Sequence, residues 1–578
     1  MINKNWIIKE HGNEDDVRRL AEQLGVEKPI ANLLVQRGIK TFEEAKAFFR
    51  PSLENLHDPF LMKDMEKAVG RIENAIKNRE KVLIYGDYDV DGTTAVAMLY
   101  LFFRNRFGTI DYYIPDRYTE GYGISLRGID YAASKGISLI IALDCGIKAV
   151  EKVEYARKKG IEFIICDHHE AGETIPAAVA VLDPKRPDCA YPYKELSGCG
   201  VGFKLLQAFA LRNNVPFSEL EEFLDLVSVS IASDIVPVTG ENRILTYYGL
   251  KKLNSSPRTG LAAIIKVAGI DQREISVEDI VFKIGPRINA AGRIESGKHS
   301  VDLLISEDPS AALDISNQIN GLNSTRRNID GNITQEALQM LKTDKKLAGR
   351  KTTVLFNPKW NKGVIGIVAS RLIEHYYRPT IILTESNGFI TGSARSVPGF
   401  DLYHALEQCA DLLENFGGHM YAAGVTMRKD ALQAFVNRFE QVVSDTIEPG
   451  LLIPILEIDT ELKLKEITPK LYRIIKQFEP FGPGNMNPVF ITEDVAIYNG
   501  DARIVGSSGG HLKLNLTQDG CPSCISGIAF NMAYYYDEIK DGKAFDICYS
   551  LDENTYRNAS SIQPKTSIQL KIRDIKTS

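Results

Sequence analysis

The sequence predicts an α/β protein of several domains: a parallel-sheet unit, a second α/β unit behind it, and a small β-barrel or sandwich at the end. Three observations predict this. From Lys81 to Pro184 short apolar runs bounded by turn signals alternate with helix-length amphipathic stretches, the signature of βαβ units and a parallel sheet. The alternation resumes near Thr352. After Pro449 the chain turns into short alternating strands punctuated by Gly, Pro and Asn, which favours a barrel or sandwich.

In order, the expected strands of the first unit are Val82 to Tyr85, Tyr112 to Ile114, Leu139 to Leu143, Ile161 to Cys166 and Val179 to Leu182, with a helix from Thr93 to Arg106 after the first. Helical patterns follow over Val201 to Leu211, Ser218 to Ala232 and Asn242 to Leu253. A helix between Asp308 and Leu341 is so rich in Asn, Gln, Arg and Glu that it reads as a bridge between domains or an edge helix of either neighbour. The second unit begins with Thr353 to Phe356, continues through Ile381 to Leu383 and runs to about Met427. Turns are expected at Gly482-Pro483-Gly484, Asn499-Gly500 and Gly509-Gly510. The implied boundaries are an N-terminal segment 1–65, a catalytic α/β domain 66–300, a connecting helical region 301–348, a second α/β domain 349–448 and a barrel 449–578.

Composition sets the limits. The 578 residues exceed one ordinary domain of roughly 100–200, and 25% charged with 44% hydrophobic residues describes a folded globular chain. The longest apolar run, Ala95 to Phe103, is short of the ~20 residues a membrane span needs. Met1 to His11 carries no apolar signal core. The eight cysteines therefore read as reduced thiols of a cytoplasmic protein. A net charge of −6 gives no bulk reason to bind nucleic acid, so any such function must come from a site.

The first expected strand runs into Asp87-Tyr88-Asp89-Val90-Asp91-Gly92. If that segment stays extended, residues two apart point to one side and Asp87, Asp89 and Asp91 converge. Like charges so gathered repel unless a cation sits among them; a solvated acidic loop capping a helix is the plainer alternative. The strand Leu139 to Leu143 ends in Asp144-Cys145-Gly146, and Ile161 to Cys166 ends in Asp167-His168-His169. Parallel strands thus deliver carboxylates and imidazoles to one sheet edge, where open α/β sheets place ligands. Asp234, after Ser233 at the end of an apolar helix, opposes the helix dipole and calls for a compensating charge. Carboxylates with imidazoles suit Mn²⁺ or Mg²⁺ better than structural Zn²⁺. Asp144, central among the strands, is placed to bridge two ions, and two ions suit phosphodiester hydrolysis. His168 and His169 cannot both face one ion from an extended backbone, so His168 is assigned as ligand and His169 to the substrate phosphate or to proton transfer.

These four segments, Asp87-Tyr-Asp-Val-Asp91, Asp144-Cys-Gly146, Asp167-His-His169 and Ser233-Asp234, resemble the metal-binding motifs of the DHH phosphoesterase superfamily. The longer form Tyr85-Gly-Asp-Tyr-Asp-Val-Asp-Gly-Thr-Thr-Ala95 resembles its RecJ-type, single-strand-specific exonuclease branch. The resemblance implies Asp87, Asp89, Asp91, Asp144, His168 and Asp234 as the ligand set; with the residue reading above, Asp144 and His169 are the expected catalytic residues and two Mn²⁺ or Mg²⁺ ions the expected cofactors. Pro286-Arg-Ile-Asn-Ala-Ala-Gly-Arg293 offers arginine forks that match phosphate oxygens; Arg287, Asn289 and Arg293 are nucleic-acid candidates. Gly392-Ser-Ala-Arg-Ser396 and Gly417-Gly-His-Met-Tyr-Ala-Ala-Gly424 resemble substrate loops of the DHH-associated domain, adding Ser393, Arg395, Gly417, Gly418 and His419. Asn361, in Trp360-Asn-Lys-Gly363, stands where that family usually has histidine. Phe478 to Asn485 and His511 to Leu514 resemble the RecJ oligonucleotide-binding (OB-fold) barrel, in which Phe481, Tyr498 and Tyr556 either stack bases or fill the core.

Other motifs carry less. Cys521-Pro-Ser-Cys524 has no second CxxC pair, Gly506-Ser-Ser-Gly-Gly510 lies between β runs rather than before a helix, and Gly198-Cys-Gly-Val-Gly202 lacks a preceding strand. The family likeness implies a 5′ to 3′ exonuclease on single-stranded DNA that releases 5′-mononucleotides in repair and recombination. It implies a monomer off the membrane, with a helicase and a single-strand-binding protein as candidate partners. The competing readings are a nuclease for short oligonucleotides or cyclic dinucleotides, and an inactive scaffold that binds single strands.

Overall fold

A computed structural model describes residues 3–507, 509–521, 524–556 and 565–577, the side chains of 345, 348, 555, 556 and 565 excepted. The chain divides into two compact units, one formed mainly by Leu56–Val236 with Gly240–Pro454, the other by Asn5–Asn55, Pro237–Thr239 and Ile455–Ser578.

The first unit is built on a five-stranded sheet in the spatial order Thr109–Tyr113, Lys81–Gly86, Leu139–Leu143, Glu162–Cys166, Ala180–Leu182. All neighbours are parallel. Leu139–Leu143 is buried along its whole length, as a strand covered on both faces must be. On one face Leu83, Tyr85, Ile140, Ala142, Phe163 and Ile165 pack with Ile129, Ala132, Val153 and Ala156 of the flanking helices. The other face is covered by Val90–Phe103, which is buried on nearly every side because Gly198–Arg212, Leu224–Asp234 and Lys298–Ile305 pack around it. Sequence order is broken at Lys81–Gly86, whose neighbours are the next strand on one side and the one after on the other. Such a reversal opens a crevice at the carboxyl ends of the strands.

The single helix expected over Ser218 to Ala232 is instead two, Phe217–Glu221 and Leu224–Asp234. The polar helix runs over Pro309–Thr343, capped by Asp308, which accepts from the Ser310 and Ala311 N–H groups. It packs on Thr259–Val267 and Gly285–Ile294 at one end and on Ile365–His375 of the second sheet domain at the other. That domain orders its strands Asn415–His419, Ala422–Met427, Phe389–Arg395, Thr380–Ser386, Thr353–Phe356. Only the last pair is parallel, joined across Ile365–His375.

The second unit holds a closed five-stranded barrel: Phe490–Val505, His511–Thr517, Ile525–Ala529, Lys565–Thr577 and Phe545–Tyr556, the last pairing back onto the first. Asn499-Gly500 is not a turn between strands but a bulge inside Phe490–Val505, with both residues at positive φ and the register shifting between Ile497 and Ala502. A bulge of this kind bends a long strand so that it serves two neighbours. The N-terminal residues join this unit. Asn5–Ile8 pairs in parallel with Ile455–Ile458, and Val17, Leu20, Ile30 and Leu34 share one core with Leu471, Ile475 and Phe478. Phe481 packs against that core and Tyr498 is exposed. The Tyr556 side chain and the middle of Cys521-Pro-Ser-Cys524 lie outside the described residues, as does Ser508 in the Gly506 to Gly510 stretch.

Candidate metal centre and nucleic-acid site

The segment after the first sheet strand does not stay extended. The helix begins at Val90, three residues ahead of Thr93, with Asp89 as its N-cap accepting from the Gly92 N–H at 3.0 Å. Asn289 Oδ1 accepts from the Val90 N–H at 3.1 Å, so this amide braces the helix start instead of facing outward. Asp91 therefore sits in the first helical turn, buried, and accepts from the Gly198 N–H at 2.6 Å, the Cys199 N–H at 2.8 Å and the Ser230 hydroxyl at 2.6 Å. The glycine-rich stretch from Gly198 is the N-terminus of helix Gly198–Arg212. Its free N–H groups bind an anion, and the anion is the protein's own carboxylate. A Cβ on Gly198 would lie 2.6 Å from the Asp144 Cβ, so only glycine lets the two segments meet.

Asp144 leaves its strand in the left-handed region at φ 57°, anchored by its N–H to the Cys166 carbonyl at 2.9 Å. Its carbonyl accepts from the Tyr122 hydroxyl at 3.0 Å. Asp87 accepts from the Gly123 N–H at 3.1 Å through Oδ1, while its Oδ2 is buried without a hydrogen-bond partner. Asp234 closes helix Leu224–Asp234. His168 Nε2 lies 3.2 Å from Asp144, 3.6 Å from Asp234 and 3.7 Å from Asp91, yet neither ring nitrogen makes a hydrogen bond. The donor atoms of Asp91, His168 and Asp234 lie within 4.8 Å of one another, as do those of Asp144, His168 and His169.

The electrostatics match that geometry. Burial first, and then the neighbouring carboxylates, push Asp87, Asp144 and Asp234 well above the usual carboxylate range. Burial pushes His168 down. Asp167 behaves differently: it is buried, but accepts from the Ile147 N–H at 2.9 Å, the His168 N–H at 2.8 Å and His169 Nδ1 at 2.7 Å. Against the burial these bonds hold it at about 2. His169 is likewise opposed by burial, and the bond to Asp167 lifts it to about 9. Its other nitrogen, Nε2, meets the Tyr122 hydroxyl at 3.2 Å. Sequence reasoning misses the roles of Asp167 and Tyr122, although Asp167 stands inside the Asp167-His-His169 motif. It also sets Gly198 aside for lacking a strand before it, when a glycine-rich helix start with no strand is the usable signal.

Arginines gather beside this centre. Arg117 lies over the Tyr88 ring at 3.9 Å and donates to the Gly292 carbonyl at 3.0 Å. Arg293 donates to the Gly363 carbonyl at 3.1 Å. Burial, then Arg117, Arg326 and Arg395, bring Arg293 down to about 10. Arg395 donates to Ser393 Oγ at 3.0 Å and to the Ala394 carbonyl at 2.8 Å. Among the described residues, none of Arg117, Arg293 and Arg395 pairs with a carboxylate within 4.0 Å. Arg287 is tied to Asn320 at 3.0 Å and to the Lys283 carbonyl at 2.7 Å. Asn361 Oδ1 accepts from the Gly363 N–H at 2.8 Å, shaping the loop on which Arg293 rests. Gly417, Gly418 and His419 form one side of the hairpin with Ala422–Met427. A Cβ on Gly418 would lie 2.2 Å from the Ala422 carbonyl oxygen. Partial burial, Arg395 and His169 push His419 down.

Three family models match the chain: the DHH family N-terminal domain over residues 81–231, the DHHA1 domain over 349–445 and the RecJ OB domain over 458–574. The single-stranded-DNA-specific exonuclease RecJ of Bacillus subtilis is 36% identical over 560 residues, covering 96% of this chain and 70% of the relative. The protein of the same name from Escherichia coli is 33% identical, covering 92% of this chain and 94% of the relative. A crystal structure of RecJ in complex with Mn²⁺ from Thermus thermophilus superposes with a TM-score of 0.84 at 25% identity, over 99% of this chain and 80% of that one. The chain belongs to the RecJ family of single-stranded-DNA-specific exonucleases.

Proposed function

We propose that the protein hydrolyses single-stranded DNA from the 5′ end, releasing 5′-mononucleotides, with two Mn²⁺ or Mg²⁺ ions held by Asp87, Asp89, Asp91, Asp144, His168 and Asp234. The observation that carries this is a buried imidazole ringed by three carboxylates at 3.2–3.7 Å with no hydrogen bond made. A nitrogen lone pair and an orphaned carboxylate oxygen, packed among groups that repel one another when charged, fit a hard divalent cation and little else. The donor group of Asp91, His168 and Asp234 supports one ion, and the unpartnered Oδ2 of Asp87, whose charge acts on Asp144, supports a second. The Mn²⁺ in the Thermus structure named above supports manganese.

Bound there, the ions would supply Lewis-acid polarisation of the phosphate and a water more acidic than bulk. The protein's own groups do the rest. Three donors fix the Asp91 carboxylate, and Asp144 is fixed by its strained backbone and by Gly198. Asp167 holds His169 charged and oriented, so that its Nε2 donates a proton to the 3′-oxygen of the departing nucleotide as water adds to phosphorus and the P–O3′ bond breaks. The proton the water sheds passes to solvent, from which His169 is reprotonated. The shortened strand keeps the phosphate. Arg293 and Arg395, with Ser393 and the Gly417-Gly418-His419 hairpin, bind phosphates. Arg287 acts at the periphery, and Asn289 serves the helix start.

A barrel is more than a nuclease for a few nucleotides requires, and the complete acidic set argues against an inactive scaffold. The eight cysteines are free thiols, which suits the cytoplasm, and no helix among the described residues is long and apolar enough to cross a membrane. We place the protein there as a monomer, with a helicase and a single-strand-binding protein as partners that expose the strand. The test is incubation with end-labelled single-stranded and duplex DNA, with Mn²⁺ or with EDTA. Metal-dependent release of mononucleotides from the single strand is expected. Equal release from duplex overturns the strand preference, and no metal-dependent product overturns the activity.

A further inference from the structure

Asp87, Asp91, Asp144 and His168 are buried, whereas Asp89 is half-buried, the Asp234 side chain is 28% exposed and His169 44%. The centre is open to substrate at Asp89, Asp234 and His169. On the His169 side stands Tyr122. On the Asp234 side stands Ile235, the next residue in the chain, and it is anomalous twice over. Its backbone is left-handed at φ 62°, ψ 28°, a conformation a β-branched residue rarely adopts. Its side chain is 62% exposed, so no burial offsets the strain. Strain of this kind persists where the surroundings over-determine it, commonly at ligand clamps.

A second exposed side chain comes from the segment that abuts this one. Ile280–Ile284 is a π-helical turn, a feature common at functional sites. It leads into Gly285, where a Cβ would lie 2.7 Å from Ser233 Oγ. In the middle of that turn Phe282 is 63% exposed. Among the described residues of this unit, Phe282 and Ile235 are the two most exposed large apolar side chains, and both come from segments meeting at Ser233-Asp234.

We infer that Ile235 and Phe282 form an apolar ledge at the mouth of the metal centre, against which the unpaired bases beside the cleaved phosphodiester rest. The inference deepens the proposed function and rests on it. A base whose faces lie on such a ledge has given up its neighbours' stacking and its pairing partner, so the ledge favours single strands over duplex without reading sequence.

The test compares the parent protein with Phe282→Ala and Ile235→Gly on two 5′-labelled oligonucleotides, one normal and one with abasic sites at its first three positions, in Mn²⁺. Phe282→Ala is expected to raise KM on the normal strand about tenfold with kcat little changed, the effect of losing one stacked base. On the abasic strand the parent's KM rises to the variant's value and the variants show no further rise. Ile235→Gly relieves the backbone, so its melting temperature stays level or rises while KM increases in the same base-dependent way. Unchanged KM on the normal strand, or equal losses on both strands, overturns the ledge. Failure of the parent to cut the normal strand overturns the proposed function instead.

Discussion

Replacing Gly198 with alanine tests whether the metal centre depends on the close approach of two backbone segments. In an ordinary helix the change would stabilise by roughly 0.5–1 kcal/mol, because alanine has less freedom to lose. Here the added Cβ would stand 2.6 Å from the Asp144 Cβ and 2.8 Å from both its Cα and Oδ1. Carbon atoms rest comfortably at about 3.6 Å, so the helix start and Asp144 must part by roughly 1 Å. The same helix start donates the Gly198 and Cys199 N–H groups to Asp91, so residues of both donor groups are displaced together. A misplacement of about 1 Å costs on the order of a hundredfold in rate, and overpacking of this size destabilises by about 1–3 kcal/mol. Gly198→Ala should therefore remain folded, melt lower, bind Mn²⁺ more weakly, and release mononucleotides with a kcat/KM about a hundredfold below the parent. The assay is release from a 5′-labelled strand at saturating Mn²⁺, with the melting curve run alongside. A folded variant with the parent's rate and Mn²⁺ affinity would refute the reasoning.

Three further outcomes follow from the same geometry. Asp144→Asn is expected to abolish cleavage while strand binding, read by fluorescence anisotropy, stays within a few-fold; parallel loss of both would place Asp144 in folding. Mn²⁺ at about a hundred times its dissociation constant should stabilise the protein by about 2.7 kcal/mol, and His168→Ala should remove most of that shift in a thermal melt. Arg293→Ala in the Asp144→Asn background should weaken binding to every sequence alike and reduce the slope of log Kd against log salt by about 0.7; an unchanged slope would mean that Arg293 touches no phosphate.

What can be read in advance follows from what is local. The sequence pattern places Leu139–Leu143 at its observed bounds and the other strands of the sheet within a few residues, because each is a short apolar run between turns. Their parallel pairing then carries Asp87, Asp144 and His168 to one edge. The direction in which a side chain leaves the backbone is set by contacts distant in sequence, and that is not legible. Asp91 turns inward because Gly198, Cys199 and Ser230 offer donors more than a hundred residues away. Asn289 reads as a substrate amide until the Val90 N–H from which it accepts is seen. The N-terminal helices show the same limit at larger scale. Val17, Leu20 and Ile30 are plainly an apolar face, yet nothing near them announces that the face is covered by Leu471 and Phe478.

The two poles of the site explain how an acidic chain can hold a polyanion. At one pole Asp87, Asp144 and Asp234 repel one another in a buried space, and each is pushed toward its neutral form. At the other pole Arg117, Arg326 and Arg395 crowd Arg293 and, with burial, lower it to about 10. Charges of like sign held together destabilise the free protein; Arg326 is paired with Asp330 at 2.8 Å, whereas Arg117 and Asp89 relieve the opposite pole only in part. Under the proposed function a strand of phosphodiesters with its divalent ions would supply both complements at once: cations for the carboxylates and anions for the guanidinium groups. On that reading the net charge of −6 matters little, because the binding energy would come from a buried cluster where screening is weak. The same reasoning makes binding of strand and metal cooperative, since each relieves repulsion that the other's charge would otherwise meet. Mn²⁺ should therefore tighten strand binding to a cleavage-dead variant, and the strand should tighten Mn²⁺ by the same factor.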